Sequence, residues 1–432
     1  MGIGHLKSAL PLPQLALELA LIAMRCVALL AVAAAYTPPR RSPRSPGGRQ
    51  GPAGAPRPKR TPVVEPLEQW GNFDVGPHRM GVSTVSWGDA TCGWRPDMIR
   101  KKKSSLELFG TADVNAVYQT LTAGGIKTWD VSAGAEGAEL LGRAAEANMN
   151  LDPPRLAVRC APSLRTRLKA IFSSKQVARH GASSVARGVR NTLDIMGSAY
   201  VDLLLVGPAE PTSSVSAVKK AASAVAAQAG RVDGVGIANV RGGKALRAAD
   251  AALRGAGLRP VACAVDLSLV DNGAIGDGTL AAAKDLGLTV LARSPLYAGL
   301  SSGEITAQNP TGGARFGVTP KFRFRALNEL APLHGAIEQV ASMVEARRAD
   351  DERSAAASAG REPPKTRPEK VLPTQVALQW IAAKGCVPMP AVKTEAHAKV
   401  ILGCQGWALT EAEVKVLDAA LPRSPPKFPR LR

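Results

Sequence analysis

The stretch VDLLLVG at residues 201–207 and the stretch VDGVGIAN at residues 232–239 decide the fold class of this protein. Both are short, continuous apolar runs, and the segment between them, residues 215–227, has apolar residues at helical spacing. Continuous apolar strands joined by a helical crossover are typical of a parallel sheet that is covered on its outer side. The two stretches therefore predict a β-α-β unit.

The same unit recurs along the chain. Eight strand-like runs are present: VSTVSWG (82–88), KTWDVS (127–132), LAVRCA (156–161), VDLLLVG (201–207), VDGVGIAN (232–239), VACAVDLS (261–268), TVLARSPL (289–296) and CVPMPAV (386–392). With helical segments between them, they predict an α/β fold, a (β/α)8 or TIM barrel over residues 80–421. A doubly wound open sheet is the alternative, but no G-x-G-x-x-G follows the first run.

A long insertion follows the seventh strand-like run. Its apolar residues at helical spacing predict a helix over residues 327–348, and the polar, proline-rich residues 349–372 predict an exposed loop. Thr410 and Glu413 form a T-x-x-E capping box, which predicts the start of a final helix. Residues 422–432 form a basic tail.

The chain before the predicted barrel has two parts. Residues 1–35 contain an apolar run that ends in small residues, as a signal-peptide core does. Residues 36–79 are rich in proline and arginine, and we expect them to be a disordered targeting segment or linker. This order is similar to the two-part presequence of plastid proteins in algae with complex plastids. It predicts delivery to a plastid, with the secretory pathway, a membrane anchor or a retained basic tail as alternatives.

The formal charge of +20 does not indicate a nucleic-acid-binding protein. Residues 1–60 hold nine lysines and arginines against the single acid Glu18, and the remaining basic runs are not interleaved with aromatic residues. The six cysteines include no C-x-x-C pair and the five histidines are dispersed, so no disulfide framework or metal site is predicted. We expect no membrane association of the mature domain.

Four blocks of sequence carry a resemblance to a known family. They are GGIKTWDVSAGAEGAELLGRA (124–144), VDGVGIANV (232–240), LARSPLYAGLSSG (291–303) and LPTQVALQWIAAKGCVPMPAVKTEAHAKVILGCQGWALTEAEVKVLDA (372–419). Together they resemble the aldo-keto reductase family, and the opening MGVSTVSWGD and the GWALTEAEV ending look most like its plant and algal plastid branch. The resemblance implies a barrel that binds NADP(H) across its C-terminal face and transfers hydride to a small aldehyde or ketone.

The family uses an Asp, a Tyr, a Lys and a His at its strand ends. The Tyr protonates the carbonyl oxygen, and the adjacent Lys, held by the Asp, lowers the Tyr pKa from about 10. Matched by position, Asp130 retains the Asp, whereas Ala135, Arg159 and Gly207 replace the Tyr, the Lys and the His. The resemblance therefore implies a catalytic site of Asp130 and Arg159 with reduced or lost carbonyl-reductase activity.

Other interpretations of these residues stay open. Asp130 and Arg159 could form a structural ion pair, or Arg159 could act as a fixed electrophile in an active oxidoreductase. Tyr297 could substitute as the proton donor. A third alternative is a non-enzymatic interaction protein that contacts a partner protein through the insertion.

The resemblance also implies a cofactor site that is only partly retained. Asn239 matches a position that contacts the nicotinamide amide, whereas Ala264 and Arg293 replace the family Gln and Tyr at that ring. Three residues keep the S-P-L-x-x-G loop for the pyrophosphate, and two match the grip on the 2′-phosphate. These are Ser294, Leu296 and Gly299 for the loop, and Lys393 and Thr394 for the phosphate. We expect NADP(H) binding to be weak, because several contacts to the reacting ring are missing.

Overall fold

The computed structural model describes residues 73–425 apart from residues 74, 77, 90–93, 95–108, 133–135, 161–181, 209, 304, 311–323, 361 and 363–369. The signal-like segment and the first 37 residues of the predicted targeting segment, residues 36–72, lie outside the described residues, as does most of the basic tail. Among the described helices, none is long and apolar enough to cross a membrane.

Eight parallel strands form a single sheet in sequential order. Their bounds are β1 Gly81–Ser83, β2 Thr128–Ser132, β3 Arg155–Cys160, β4 Leu203–Val206, β5 Val235–Ala238, β6 Pro260–Asp266, β7 Thr289–Arg293 and β8 Val387–Pro388. Each strand pairs with the next one along the chain in parallel register. Each falls within or next to a predicted run.

Helices follow the strands, as the helical spacing between the runs predicted. Their bounds are α1 Thr111–Ala123, α2 Glu136–Ala147, α3 Ala182–Met196, α4 Ser216–Ala226, α5 Gly243–Arg254, α6 Gly273–Gly276, α7 Thr279–Asp285, α8 Phe324–Asn328, α9 Ala331–Ser358, α10 Pro373–Ala383, α11 Glu395–Leu402 and α12 Glu411–Ala419. Their buried apolar faces and the outward-facing strand residues form one large core.

The sheet closes on itself between its first and last strands. The backbone N–H of Ser83 donates to the carbonyl oxygen of Pro390 at 2.9 Å, and Ser83 forms a parallel bridge with Ala391. An open doubly wound sheet has no such contact between its edges, so the predicted TIM barrel is confirmed.

A second, smaller core fills the inside of the barrel. Its buried members are Phe73, Val75, Ala157, Leu203, Leu205, Ala238, Val261, Ala262, Ala264, Leu291, Val387 and Met389. Phe73 and Val75 precede the predicted boundary at Met80, and the Thr128 hydroxyl donates to the Val75 carbonyl oxygen at 3.2 Å. Because Thr128 starts β2, these residues cover the N-terminal end of the barrel. Residues before Met80 therefore also take part in the packing, since an apolar interior needs apolar cover at this end.

The predicted exposed loop over residues 349–372 is wrong in its first part. Helix α9 continues through this region to Ser358, and its outer turns are exposed apart from the buried Ala356. The composition explains the difference, because four of the ten residues 349–358 are alanine and none is proline or glycine. Residues 363–369 lie outside the described residues.

The capping box at the start of α12 is confirmed. The Thr410 hydroxyl accepts from the Glu413 N–H at 3.3 Å, and the Glu413 carboxylate accepts from the Thr410 N–H at 2.7 Å. Arg347 of α9 also pairs with Glu413 at 3.2 Å, which ties the long helix to the C-terminal helix.

Candidate active site

Charged side chains lie inside the barrel at the C-terminal ends of its strands, next to the apolar interior. Alternate residues of a strand share a face, so a residue two positions after an interior residue also points inward. Arg159 follows the interior residue Ala157 in this way, and Arg293 follows Leu291. Asp266 stands in the same relation to Ala264. The apolar interior is therefore succeeded by an ionic region at the barrel mouth.

The register assigns Arg159 and Arg293 to one layer of this region. A (β/α)8 barrel shifts level by about one residue per strand, and each layer takes four residues from alternate strands. Applied to the observed pairing, this shift places Ser83, Arg159, Ala238 and Arg293 together. We call these four residues the arginine layer. Its two arginines come from β3 and β7, on opposite sides of the barrel.

Asp130 and Arg159, the two predicted catalytic residues, are brought together as a bidentate ion pair. Arg159 Nε donates to Asp130 Oδ1 at 2.8 Å, and Arg159 Nη2 donates to Oδ2 at 3.1 Å. The Arg159 side chain is 11% exposed and the Asp130 side chain is 4% exposed. The Ser83 hydroxyl also donates to Asp130 Oδ2 at 3.1 Å. Two parallel charge-assisted bonds hold the guanidinium in a fixed orientation.

The environment of Arg159 keeps it permanently charged. Burial alone would lower its pKa, but the charge of Asp130 and the hydrogen bonds to it outweigh burial, and the pKa is raised above its ordinary value. Arg159 therefore cannot release a proton at neutral pH and can act only as a fixed cation.

Arg293 and Asn239 form a second set of contacts at the mouth. Arg293 Nη1 donates to Asn239 Oδ1, and Asn239 Nδ2 donates to the Pro208 carbonyl oxygen at 2.9 Å. Both ends of the Asn239 amide are thus engaged, although this amide was predicted to contact nicotinamide. Arg293 Nη2 also lies 3.9 Å from Asp266 Oδ1, an ion pair that the sequence analysis missed. The sequence did carry a signal for this pair, because Asp266 lies two residues after Ala264, at the end of a strand-like run.

Arg293 lies in an unfavourable place for a cation. Burial lowers its pKa, and the nearby positive charge of Arg159 lowers it further, against the opposing effects of Asp266, Asp130 and Glu210. The buried Asp266 Oδ1 accepts no hydrogen bond among the described residues. The second ion pair is therefore looser than the first.

The replaced tetrad positions offer no proton donor in the described structure. Ala135 lies outside the described residues, but alanine has no acidic group. A Cβ built on Gly207 would overlap the Ala238 carbonyl oxygen, so no larger side chain fits there without a backbone shift. Tyr297 is 8% exposed, and burial raises its pKa to about 12, the opposite of what a general acid needs.

The predicted phosphate-binding residues lie at the start of α11. Lys393 is 6% exposed, and its ammonium group lies 5.9 Å from the centre of the Phe109 ring. The Thr394 hydroxyl caps α11 by accepting from the His397 N–H at 3.3 Å. The N–H groups of a helix start and a lysine cation are suited to an anion, although Glu395 in the first turn opposes it.

The S-P-L-x-x-G loop uses part of its own backbone. The N–H groups of Gly299 and Ser301 both donate to the Leu296 carbonyl oxygen at 3.0 Å, and that of Tyr297 donates to Ser294 at 2.9 Å. Fewer N–H groups are left for a pyrophosphate than the motif predicted. The buried Ser301 hydroxyl has no hydrogen-bond partner among the described residues, and it is a further donor in this loop.

The comparison with protein families agrees with the barrel fold. The model of the aldo/keto reductase family matches residues 106–422. The chain belongs to the aldo/keto reductase family. Members of this family generally use NADP(H), which supplies a hydride when it is bound.

Individual relatives are more distant. Over 141 residues the chain is 29% identical to a chloroplastic pyridoxal reductase of Arabidopsis thaliana, a match that covers 33% of this chain. The match spans 31% of that relative, about a third of its length.

One solved structure supports the fold, and a second is reported beside it. A glycerol dehydrogenase from Gluconobacter oxydans matches with a TM-score of 0.53 at 16% identity, covering 81% of this chain and 93% of the other. A thermostable aldo-keto reductase matches with a TM-score of 0.49 at 18% identity, covering 79% and 94%.

The described residues fit one end of an NADP(H) molecule better than the other. Phosphate oxygens accept hydrogen bonds and carry negative charge, and this end of the site offers donors and a cation. They are Lys393, the N–H groups at the start of α11 and the Ser301 hydroxyl, which has no partner among the described residues. At the nicotinamide end, Arg293 occupies the amide oxygen of Asn239. A ring held there would have to share the Asn239 amide with Arg293 and Pro208.

Proposed function

We propose that this aldo/keto reductase family member binds NADP(H) weakly, through its phosphate end, and reduces carbonyl compounds slowly or not at all. The observation that carries the proposal is the bidentate pair of Arg159 and Asp130, at 2.8 and 3.1 Å. In the family arrangement the corresponding cation lowers the pKa of a neighbouring phenol. Here the cation is retained, but among the residues that the structure describes no phenol forms a contact with it.

The missing step is protonation of the carbonyl oxygen. Arg159 cannot donate a proton, and the pKa of Tyr297 is raised by burial to about 12. General acid catalysis typically contributes about 10²- to 10⁴-fold to a rate. A fixed guanidinium could still polarise a carbonyl group, so we expect a residual rate that is lower by a factor in this range.

The proposal is tested by titrating the purified protein with NADPH and following tryptophan fluorescence. We expect saturable binding within or above the ordinary KM range of about 1 µM to 1 mM. Lys393→Met should weaken this binding, because it removes the cation at the start of α11. Lys399→Met is the matched control, since Lys399 is an exposed lysine of the same helix that pairs with Glu395 at 2.9 Å. Equal effects of the two variants would contradict the proposed phosphate grip.

Turnover is measured on the same sample with a panel of aldehydes that includes pyridoxal, because the Arabidopsis relative is a pyridoxal reductase. We expect rates at least about 100-fold below those of an ordinary reductase. A rate within about tenfold of an ordinary reductase would overturn the proposal of impaired catalysis. It would favour the alternative of an active oxidoreductase with Arg159 as electrophile, in which Arg159→Ala must abolish the rate.

A partner protein is a second candidate function. The exposed outer part of α9, residues 349–358, supports it, because these turns extend beyond the contact between Arg347 and Glu413. A variant that ends α9 early, by deleting residues 350–360, should keep NADPH binding and lose the partner if this surface is used. Loss of both would show instead that the segment is needed for folding.

We also propose plastid delivery, with the secretory pathway as the alternative. The support is the two-part composition of residues 1–79 and the chloroplastic description of the Arabidopsis relative. Residues 1–79 fused to a fluorescent protein should enter the plastid of an alga with complex plastids. Secretion of the fusion would contradict the proposal.

A further inference from the structure

Two arginines face each other across the mouth of the barrel in a layer that is otherwise small. The arginine layer contains Ser83 and Ala238 beside Arg159 and Arg293, and Gly207 ends the neighbouring strand β4. None of the three smaller residues has a side chain longer than a hydroxymethyl group. Within this layer, Ser83 and Ala238 therefore place no long side chain between the two cations.

The protein uses only part of the hydrogen-bonding capacity of these cations. Arg159 donates to Asp130 through Nε and Nη2, and among the described residues no acceptor lies at its Nη1. Arg293 donates through Nη1 to Asn239, and its Nη2 lies 3.9 Å from Asp266, beyond hydrogen-bond distance. A guanidinium carries five N–H donors, so both arginines keep donors for a further acceptor.

The two side chains can be reached only in part. Arg159 is 11% exposed and Arg293 is 20% exposed, and both lie at the C-terminal end of the barrel interior. Three acids lie near enough to Arg293 to raise its pKa, and they are Asp266, Asp130 and Glu210. Asp130 is committed to Arg159 by two bonds, whereas Asp266 holds Arg293 only loosely. The charge that is least well balanced is thus that of Arg293.

We propose that the barrel mouth binds a small molecule with a carboxylate, held between the guanidinium groups of Arg159 and Arg293. A carboxylate is planar and has two oxygens, so it matches the fork geometry of arginine from either side. A bound carboxylate would separate the two cations. It would also give Arg293 an acceptor at hydrogen-bond distance, which Asp266 does not provide. Because the two arginines are only 11% and 20% exposed, the ligand is limited to a few heavy atoms around this group.

This inference rests on the proposed function only in that the mouth of the barrel is a ligand site. It requires neither NADP(H) nor turnover. The test is isothermal titration calorimetry of the full protein with pyruvate, without cofactor, and with pyruvamide as the neutral analogue of similar shape. We expect saturable binding of pyruvate and none of pyruvamide. Because the NADPH titration is separate, a failure of one experiment does not decide the other.

The residue-level test uses Arg293→Gln, which removes the loosely held cation. We expect pyruvate affinity to fall at least tenfold, since charged hydrogen bonds are lost. Arg247→Gln is the matched control, because Arg247 is an exposed arginine that pairs with Asp285 on the outer surface. The pyruvate affinity of this variant should stay within twofold of that of the unchanged protein. If Arg293→Gln does not fold, Arg293→Lys keeps the charge, loses the fork, and should weaken binding to a smaller extent.

Four outcomes would overturn the proposal. One is no saturable binding of pyruvate by the folded protein. Another is equal binding of pyruvate and pyruvamide, which would show that the carboxylate is not recognised. The third is tighter binding of inorganic phosphate than of pyruvate, which would assign the arginine layer to a phosphate group. Unchanged affinity in Arg293→Gln would place any observed binding elsewhere on the molecule.

Discussion

Arg159 on β3 donates two hydrogen bonds to Asp130 on the neighbouring strand β2, and both side chains lie almost entirely inside the barrel. The pair connects the apolar interior to the open mouth. It retains the anion and the cation of the family site but changes the chemistry of the cation. Its energetic and functional roles can be separated by experiment.

Removing one member of this pair should destabilise the protein. Arg159→Ala leaves the Asp130 carboxylate, 4% exposed, without its cation. Breaking a buried pair in this way costs about 3–5 kcal/mol, because an uncompensated charge stays buried. Urea denaturation measures the difference. Arg143→Ala, which breaks an exposed pair with Glu139, is the control and should cost at most about 0.5 kcal/mol. Equal losses would show that the buried pair is not a structural element.

Restoring a histidine at position 207 should not restore the family site. A Cβ at Gly207 overlaps the Ala238 carbonyl oxygen, so Gly207→His must displace the backbone of β5. We expect a loss of at least about 1–3 kcal/mol, the usual cost of overpacking. Thermal unfolding provides the measurement. Gly335→Ala, in α9 with open space around it, is the control and should stabilise by about 0.5–1 kcal/mol.

The cover at the N-terminal end of the barrel should contribute to stability. Phe73 is 8% exposed and belongs to the interior core, so Phe73→Ala should cost about 3–5 kcal/mol. Phe324→Ala is the matched control, because Phe324 is 65% exposed and its loss should change stability by less than about 0.5 kcal/mol. A small effect at Phe73 would place the start of the domain at Met80 after all.

Part of the stability should depend on pH through Glu413. Burial raises its pKa, but the hydrogen bonds from Thr410 and Arg347 outweigh burial and lower the pKa below its ordinary value of 4.5. A lowered pKa in the folded state means that the carboxylate stabilises the fold above about pH 4.5. This contribution is lost as the pH falls through the folded-state pKa.

Glu413→Gln should therefore destabilise the protein at pH 7, by roughly 1 kcal/mol, and have little effect at pH 3. Denaturation curves at the two pH values test this difference. Glu411→Gln changes another acid in the first turn of α12, one that is exposed, and should leave both curves nearly unchanged. A loss in Glu413→Gln that is equal at both pH values would exclude the charge as its cause.

Much of the fold follows from the sequence, because both its main signals are local. Continuous apolar runs with helical segments between them specify parallel strands and crossovers, and the Thr410–Glu413 capping box specifies the start of α12. The place of Phe73 and Val75 in the interior core was not predicted, because two isolated apolar residues do not form a periodic pattern. The end of α9 was predicted too early, since polarity was given more weight than the helix propensity of its residues.

The candidate site was predicted less completely than the fold. The pairing of Asp130 with Arg159 followed from their places on neighbouring strands. Asp266 and Arg293 also lie on neighbouring strands, so the same argument would have predicted their pair. The contact of Arg293 with Asn239 joins β7 to the end of β5, and it depends on the register of the closed barrel. The burial of Lys393 beneath Phe109 could not be inferred either, because Phe109 lies outside every predicted strand.

The closure between β1 and β8 has a consequence for the synthesis of this protein. The Trp87 indole N–H donates to the Val392 carbonyl oxygen at 2.7 Å, a contact between residues 305 positions apart. A ribosome must therefore make nearly the whole chain before this seam can form. Until then the first strand is an unpaired sheet edge, open to association with other chains. Nascent chains halted before Val392 should therefore be the species most dependent on chaperones.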